Sequence, residues 1–135
     1  MIDNKGKGRI GLSTAINYFT IHGYTVSLPI NDTQWYDLVI EKNGVFKTVQ
    51  CKCTGTDEGS VSLRSCGGTS GRTYHNLLDD KGLDFLFCVD KYLNMFLIPV
   101  DDIRNAGVRT TIYLRVAKSK YQTHGIVTSN YLVTL

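Results

Sequence analysis

What the chain has little of narrows the field first. No stretch of its 135 residues is long and apolar enough to span a bilayer, and Met1 to Arg9 is polar and glycine-rich, unlike a secretory signal. The expectation is a protein with no membrane partner that stays in the compartment where it is made, the cytoplasm. There are four cysteines and no C-x-x-C pair. Cys51-x-Cys53 finds no matching half for a zinc site, so both read as buried free thiols on a strand. Internal repeats, linkers and low-complexity tracts are absent. With 42% hydrophobic and 20% charged residues, the chain reads as a single globular domain spanning 1–135 with a real core. Acidic residues stop at Asp102. Beyond it Arg104, Arg109, Arg115, Lys118 and Lys120 give +5, whereas the first 102 residues carry −2. That asymmetry suits a polyanionic partner; the plainer alternative is a solvated basic surface.

What is present centres on Trp35 to Thr54. Tyr36–Glu41 and Val45–Cys53 are β-rich runs separated by Asn43-Gly44, a strong hairpin signal because both residues tolerate positive φ. If those two form the turn, Lys42 faces Val45 and Asp37 faces Gln50. Alternation along the strand puts Lys52 on the same face and Val49, Cys51 and Cys53 on the opposite, apolar one. Directly opposed Cβ atoms lie about 4.5–5.5 Å apart. A carboxylate, an amide and an ammonium therefore converge at one end of the hairpin.

Elsewhere, Lys5 to Arg9 reads as a flexible basic lead-in to a helix with Leu12, Ala15, Ile16 and Phe19 on one face and Gly23 at its end. Tyr24–Leu28 is a strand stopped by Pro29. Ser60–Arg64 is a short strand. Ser65 to His75 holds three glycines, several hydroxyls and no acid, as a mobile loop would. It lacks the G-K-[ST] ending of a Walker A loop, yet it can bring Arg72 to a phosphate. Leu83–Val89 and Met95–Ile98 are adjacent strands, Val100–Asn105 a short helix, Thr110–Val116 a strand, and Ile126–Leu135 a closing edge. The order predicts an α/β sandwich with a mixed sheet.

Asp37 followed by Gln50-x-Lys52 on a paired strand resembles the PD-(D/E)XK nucleases, in the variant with glutamine at the second acid. The context extends the likeness: Lys5-Gly6-x-Gly8-x-x-Gly11, then Gly23-Tyr24-Thr25-Val26, Tyr36-Asp37-Leu38, Asp84-Phe85-Leu86-Phe87 and Leu97-Ile98-Pro99. Over roughly residues 5 to 115 the chain is similar to the small group I intron-associated members, and more loosely to archaeal Holliday-junction resolvases.

The resemblance implies a restriction-endonuclease-like α/β core, a mixed β-sheet flanked by helices. It also implies a homing-type or phage endonuclease that hydrolyses phosphodiesters with Mg²⁺, or Mn²⁺ in its place. Asp37, Gln50 and the Cys51 carbonyl would hold the ion. Lys52 would position or deprotonate the attacking water, or stabilise the charge on phosphorus. The DNA footprint would draw on Lys5, Lys7, Arg9, Arg72, Arg109, Arg115, Lys118 and Lys120. Double-stranded or branched DNA is the expected partner, met by a homodimer or homotetramer. One residue departs from the pattern: Leu12 stands where related enzymes carry a glutamate on the first helix. An acid from elsewhere, such as Asp32, is the candidate replacement. The rival readings are a structure-specific junction nuclease and a catalytically weak DNA-binding module on the same fold.

Overall fold

The computed structural model describes residues 3–31, 33–67, 73–118 and 125–135. Helix α1 runs Asn4–Ile21. Its start is fixed by Asp3, whose Oδ1 accepts the Gly6 N–H at 2.7 Å and so satisfies one orphan amide of the first turn. This corrects the flexible lead-in: Lys5, Lys7 and Arg9 ride on the first turns of a capped helix. Ala15 and Phe19 are fully buried, with Leu12 and Ile16 packed against the same cluster. Ser13, Asn17 and Thr20 lie on the other side, all exposed. Gly23, at φ 85°, closes the helix by donating to the Thr20 carbonyl.

The strands follow as β1 (Thr25–Ser27), β2 (Leu38–Lys42), β3 (Val45–Cys53), β4 (Ser60–Ser62), β5 (Arg64–Gly67) and β6 (Thr73–Asn76). After them come β7 (Phe85–Val89), β8 (Met95–Pro99), helix α2 (Val100–Asn105), β9 (Thr111–Tyr113) and β10 (Leu132–Val133). Six of them form one mixed sheet in the order β1-β2-β3-β7-β8-β10. Every pairing in it is antiparallel except that of β3 with β7. The fold is the α/β architecture expected.

Alternation along the strands sends one set of side chains to each face. Leu38, Ile40, Val49, Phe87 and Val89 pack under α1 with Ala15, Tyr18 and Phe19. Leu86, Cys88, Phe96 and Ile98 face the other way, onto Leu63, Leu77, Val100, Ile103, Ile112 and Leu114. Both faces of the central strands are covered, which is why β7 reads as an unbroken apolar run.

Two expectations change in the second layer. Residues 65–67 and 73–75 are strand: β5 and β6 pair antiparallel from Arg64↔Asn76 to Gly67↔Thr73. Arg72 belongs to residues 68–72, outside the described residues. The C-terminal run is mostly not strand. A 3₁₀ turn, Thr128–Tyr131, precedes the two residues of β10, which do close the sheet against β8.

Candidate active site

The Asn43-Gly44 turn has the dihedrals its sequence calls for, with φ of 53° and 78°. The register follows from it: Lys42 pairs with Val45, and each step holds as far as Leu38↔Val49. One residue further the ladder breaks. The Asp37 N–H donates to the Val49 carbonyl at 2.8 Å, and the Asp37 carboxylate reaches over to accept the Cys51 N–H through Oδ2 at 2.8 Å. Cys51 and Val49 present their peptide groups to the same edge of β3. The carboxylate therefore takes the place that the backbone of a longer β2 would fill. The strict pairing of Asp37 with Gln50 is replaced by a bend that lays Asp37 along the edge of β3, beside the Cys51 peptide.

Gln50 and Lys52 lie on the face away from α1, opposite Leu86 and Cys88 in the parallel register. Lys52 extends toward the second layer, where its Nζ donates to the Arg64 carbonyl at 3.4 Å. Burial pulls its pKa below the ordinary lysine value, while Cys88 and the Asp37 carboxylate act in the opposite direction. Cys88 is itself pushed up to about 12 by burial. It is a neutral thiol at physiological pH, so the charge that opposes the loss of the Lys52 proton is that of Asp37. The Cys51 thiol is raised well above its usual range, first by burial and then by Asp37. It sits on the α1 face as a partly buried free thiol, with Cys53 beside it. Gly11 brings α1 close here: a Cβ on it would meet the Lys52 carbonyl carbon at 3.5 Å.

Among the described residues no group of three or more histidine, cysteine, aspartate or glutamate side chains could hold a metal. Leu12 is the reason on the helix side: it packs on the apolar cluster under α1 and brings no carboxylate. Asp32 lies outside the described residues.

Two neighbours of this site escape sequence reasoning. The Trp35 ring stacks on the His75 imidazole, with centroids 4.0 Å apart and planes 16° from parallel. His75 sits on β6 opposite Ser65. No spacing rule links them, because the sequence of β6 carries no strand pattern of its own.

The basic residues are spread over several elements. Lys5 and Arg9 are exposed or nearly so on α1, with Lys7 half-buried. Arg109 pairs with Asp79 at 3.3 Å, both side chains more than half exposed, a contact worth about 0–1 kcal/mol and easily surrendered to a phosphate. Arg115 donates to the Glu58 carbonyl and lies over the Tyr113 ring. Arg104 donates to the Leu78 and Asp80 carbonyls, so part of the basic excess after Asp102 holds the second layer together. Lys118 is exposed. Lys120 falls outside the described residues. No described helix is long and apolar enough to cross a membrane.

No curated protein matches the chain. Among solved structures it is similar to a bacterial homing endonuclease, I-Ssp6803I, at 23% identity and a TM-score of 0.62, over 96% of this chain and 87% of that one. At that identity the likeness speaks for the fold. A sequence model of the PD-(D/E)XK endonuclease family matches residues 2–131. That span contains every strand of the mixed sheet except β10, the broken ladder at Asp37 and the strand bearing Gln50 and Lys52, and with the match running over nearly its whole length, the chain belongs to the PD-(D/E)XK endonucleases.

Proposed function

We propose that this endonuclease is a divalent-metal-dependent deoxyribonuclease of the homing type, with Asp37, Gln50 and Lys52 as its working residues. One observation carries the reading: the Asp37 carboxylate leaves the ladder to lie at the Cys51 peptide, on the strand that also carries the half-buried Lys52. The donors that would hold the ion are the Asp37 carboxylate, the Gln50 amide oxygen and the Cys51 carbonyl. All are hard oxygens, which suit Mg²⁺ or Mn²⁺, whereas the Cys51 and Cys53 thiols, which would favour softer ions, stay protonated and face α1. When bound, the ion would neutralise charge on the phosphate and acidify a water.

The chain's own residues do the rest. The Cys51 N–H fixes one carboxylate oxygen of Asp37 and so sets the direction of the other. Lys52, with its pKa lowered by burial, gives up a proton more readily at neutral pH than an exposed lysine does. Its anchor on the Arg64 carbonyl keeps the amine at the site. Cutting both strands of a duplex takes two such sites, which a symmetric homodimer or homotetramer of this small chain supplies.

The test is cleavage of supercoiled plasmid by the purified chain in Mg²⁺ and in EDTA. Nicked and linear products in Mg²⁺, and none in EDTA, are expected. The same products in EDTA would refute metal dependence. The position of Leu12 favours a second reading, a DNA-binding module with weak activity; DNA binding in Ca²⁺ with no product in either Mg²⁺ or Mn²⁺ would support it instead.

The footprint makes a separate prediction. Each phosphate that a cation neutralises releases counterions, so log K falls with log salt by about 0.9 per phosphate. Replacing Lys118 and Lys120 with alanine should weaken binding on every sequence and make the slope shallower by about that amount for each phosphate no longer neutralised. Fluorescence anisotropy across a salt series in Ca²⁺ measures it. An unchanged slope would assign the footprint to Lys5, Lys7 and Arg9 on α1.

A further inference from the structure

We infer that His75 is a positioning residue for cleavage, acting through its stack on Trp35. The inference rests on the nuclease reading above. Asp37 sits in a bend, and the residues before it, 33–36, belong to no strand. Two contacts tie that segment to the second layer: Tyr36 packs against the cluster around Leu63 and Leu77, and Trp35 lies flat on His75. His75 stands on β6, one residue from Asn76, which pairs with Arg64. The Arg64 carbonyl is the acceptor for Lys52. The single β5–β6 ladder thus touches both halves of the site, Lys52 through Arg64 and the Asp37 segment through His75. Its rigidity sets how far the carboxylate lies from the amine.

The chemistry of the contact says what the imidazole contributes. Its Nε2 is buried with no hydrogen-bond partner among the described residues. The face of the ring lies flat against the indole, an arrangement in which aromatic pairs gain more than their buried area alone. A planar apolar ring should do the same work, and a non-planar side chain of similar bulk should not.

The experiment compares wild type with His75→Phe, His75→Leu and His75→Ala. It measures single-turnover cleavage in Mg²⁺ at saturating enzyme, DNA affinity in Ca²⁺ and the melting temperature. His75→Leu and His75→Ala should lose up to about 10²-fold in rate, the scale of a misplacement near 1 Å, with DNA affinity held. His75→Phe should return the rate close to wild type. Should the alanine variant fail to fold, the leucine and phenylalanine pair carries the comparison. A leucine variant as fast as wild type overturns the inference, and so does a phenylalanine variant as slow as leucine, which would assign the role to a ring nitrogen. A wild-type chain that cleaves no DNA overturns the nuclease reading, and this inference with it.

Discussion

Asp37→Asn is expected to lower single-turnover cleavage by about 10²–10³-fold while leaving the fold intact, because the site proposed above would work electrostatically and loses one charge. The substitution is chosen for what it keeps. An amide oxygen can still accept the Cys51 N–H that Asp37 Oδ2 accepts at 2.8 Å, so the bend and the end of the β2–β3 ladder should survive. Circular dichroism and the urea midpoint should match wild type, and calorimetric binding of Mn²⁺ should disappear with the activity. Lys52→Ala should fall by about 10²–10⁴-fold, the range for a positioned acid or base. Lys52→Arg should not recover it, since a guanidinium does not deprotonate and its planar fork differs in shape from an ammonium. Wild-type turnover by the asparagine variant would show that Asp37 serves only to close the strand edge.

Phe87→Ala is the substitution expected to cost most in stability. Phe87 is completely buried at the centre of β7. Its ring lies 5.4 Å from that of Tyr18 and 5.7 Å from that of Phe19, so it joins the sheet to α1. Truncation leaves a cavity between two rigid layers and should cost about 3–5 kcal/mol. Set against the 5–15 kcal/mol, roughly, by which domains are stable, that is a large fraction of the total. Urea denaturation followed by tryptophan fluorescence measures the change. A loss below about 1 kcal/mol, the scale of a well-tolerated core swap, would mean that α1 is not held to the sheet through this ring.

The hairpin and its register are legible in the sequence because both are local: Asn43-Gly44 fixes the turn, and period two does the rest. Asp37 is misplaced by the geometry of one residue, since strand alternation counts backbone partners and cannot foresee a carboxylate replacing one. Alternation also puts Gln50 and Lys52 on the face opposite Val49 and Cys51, where the structure has them, but that face is covered. The cover comes from Val61, Leu63, Leu77 and their neighbours, and nothing between Val45 and Cys53 announces it. The β5–β6 pair is hidden by its glycines, and the true start of α1 by Gly6 and Gly8, both weak helix formers outweighed by the cap at Asp3. The basic run after Asp102 looks uniform as a string, yet Arg104 and Arg115 are engaged by carbonyls of the second layer.

The parallel pairing of β3 with β7 has a consequence for how fast the site can come into being. The β2–β3 hairpin closes through two residues, and such hairpins form and break in about 1–10 μs. β3 meets β7 only after residues 54–84 have been closed into a loop, and that entropy must be lost before any contact rewards it. β5, whose Arg64 carbonyl accepts the Lys52 hydrogen bond, lies inside that same loop. On a newly made chain, Asp37 and Lys52 can therefore share a fluctuating hairpin long before they share a desolvated site. On the proposed assignment, cleavage should appear in refolding with the slow, long-range phase, and the growing chain would hold its Asp37–Lys52 hairpin without yet being able to cut.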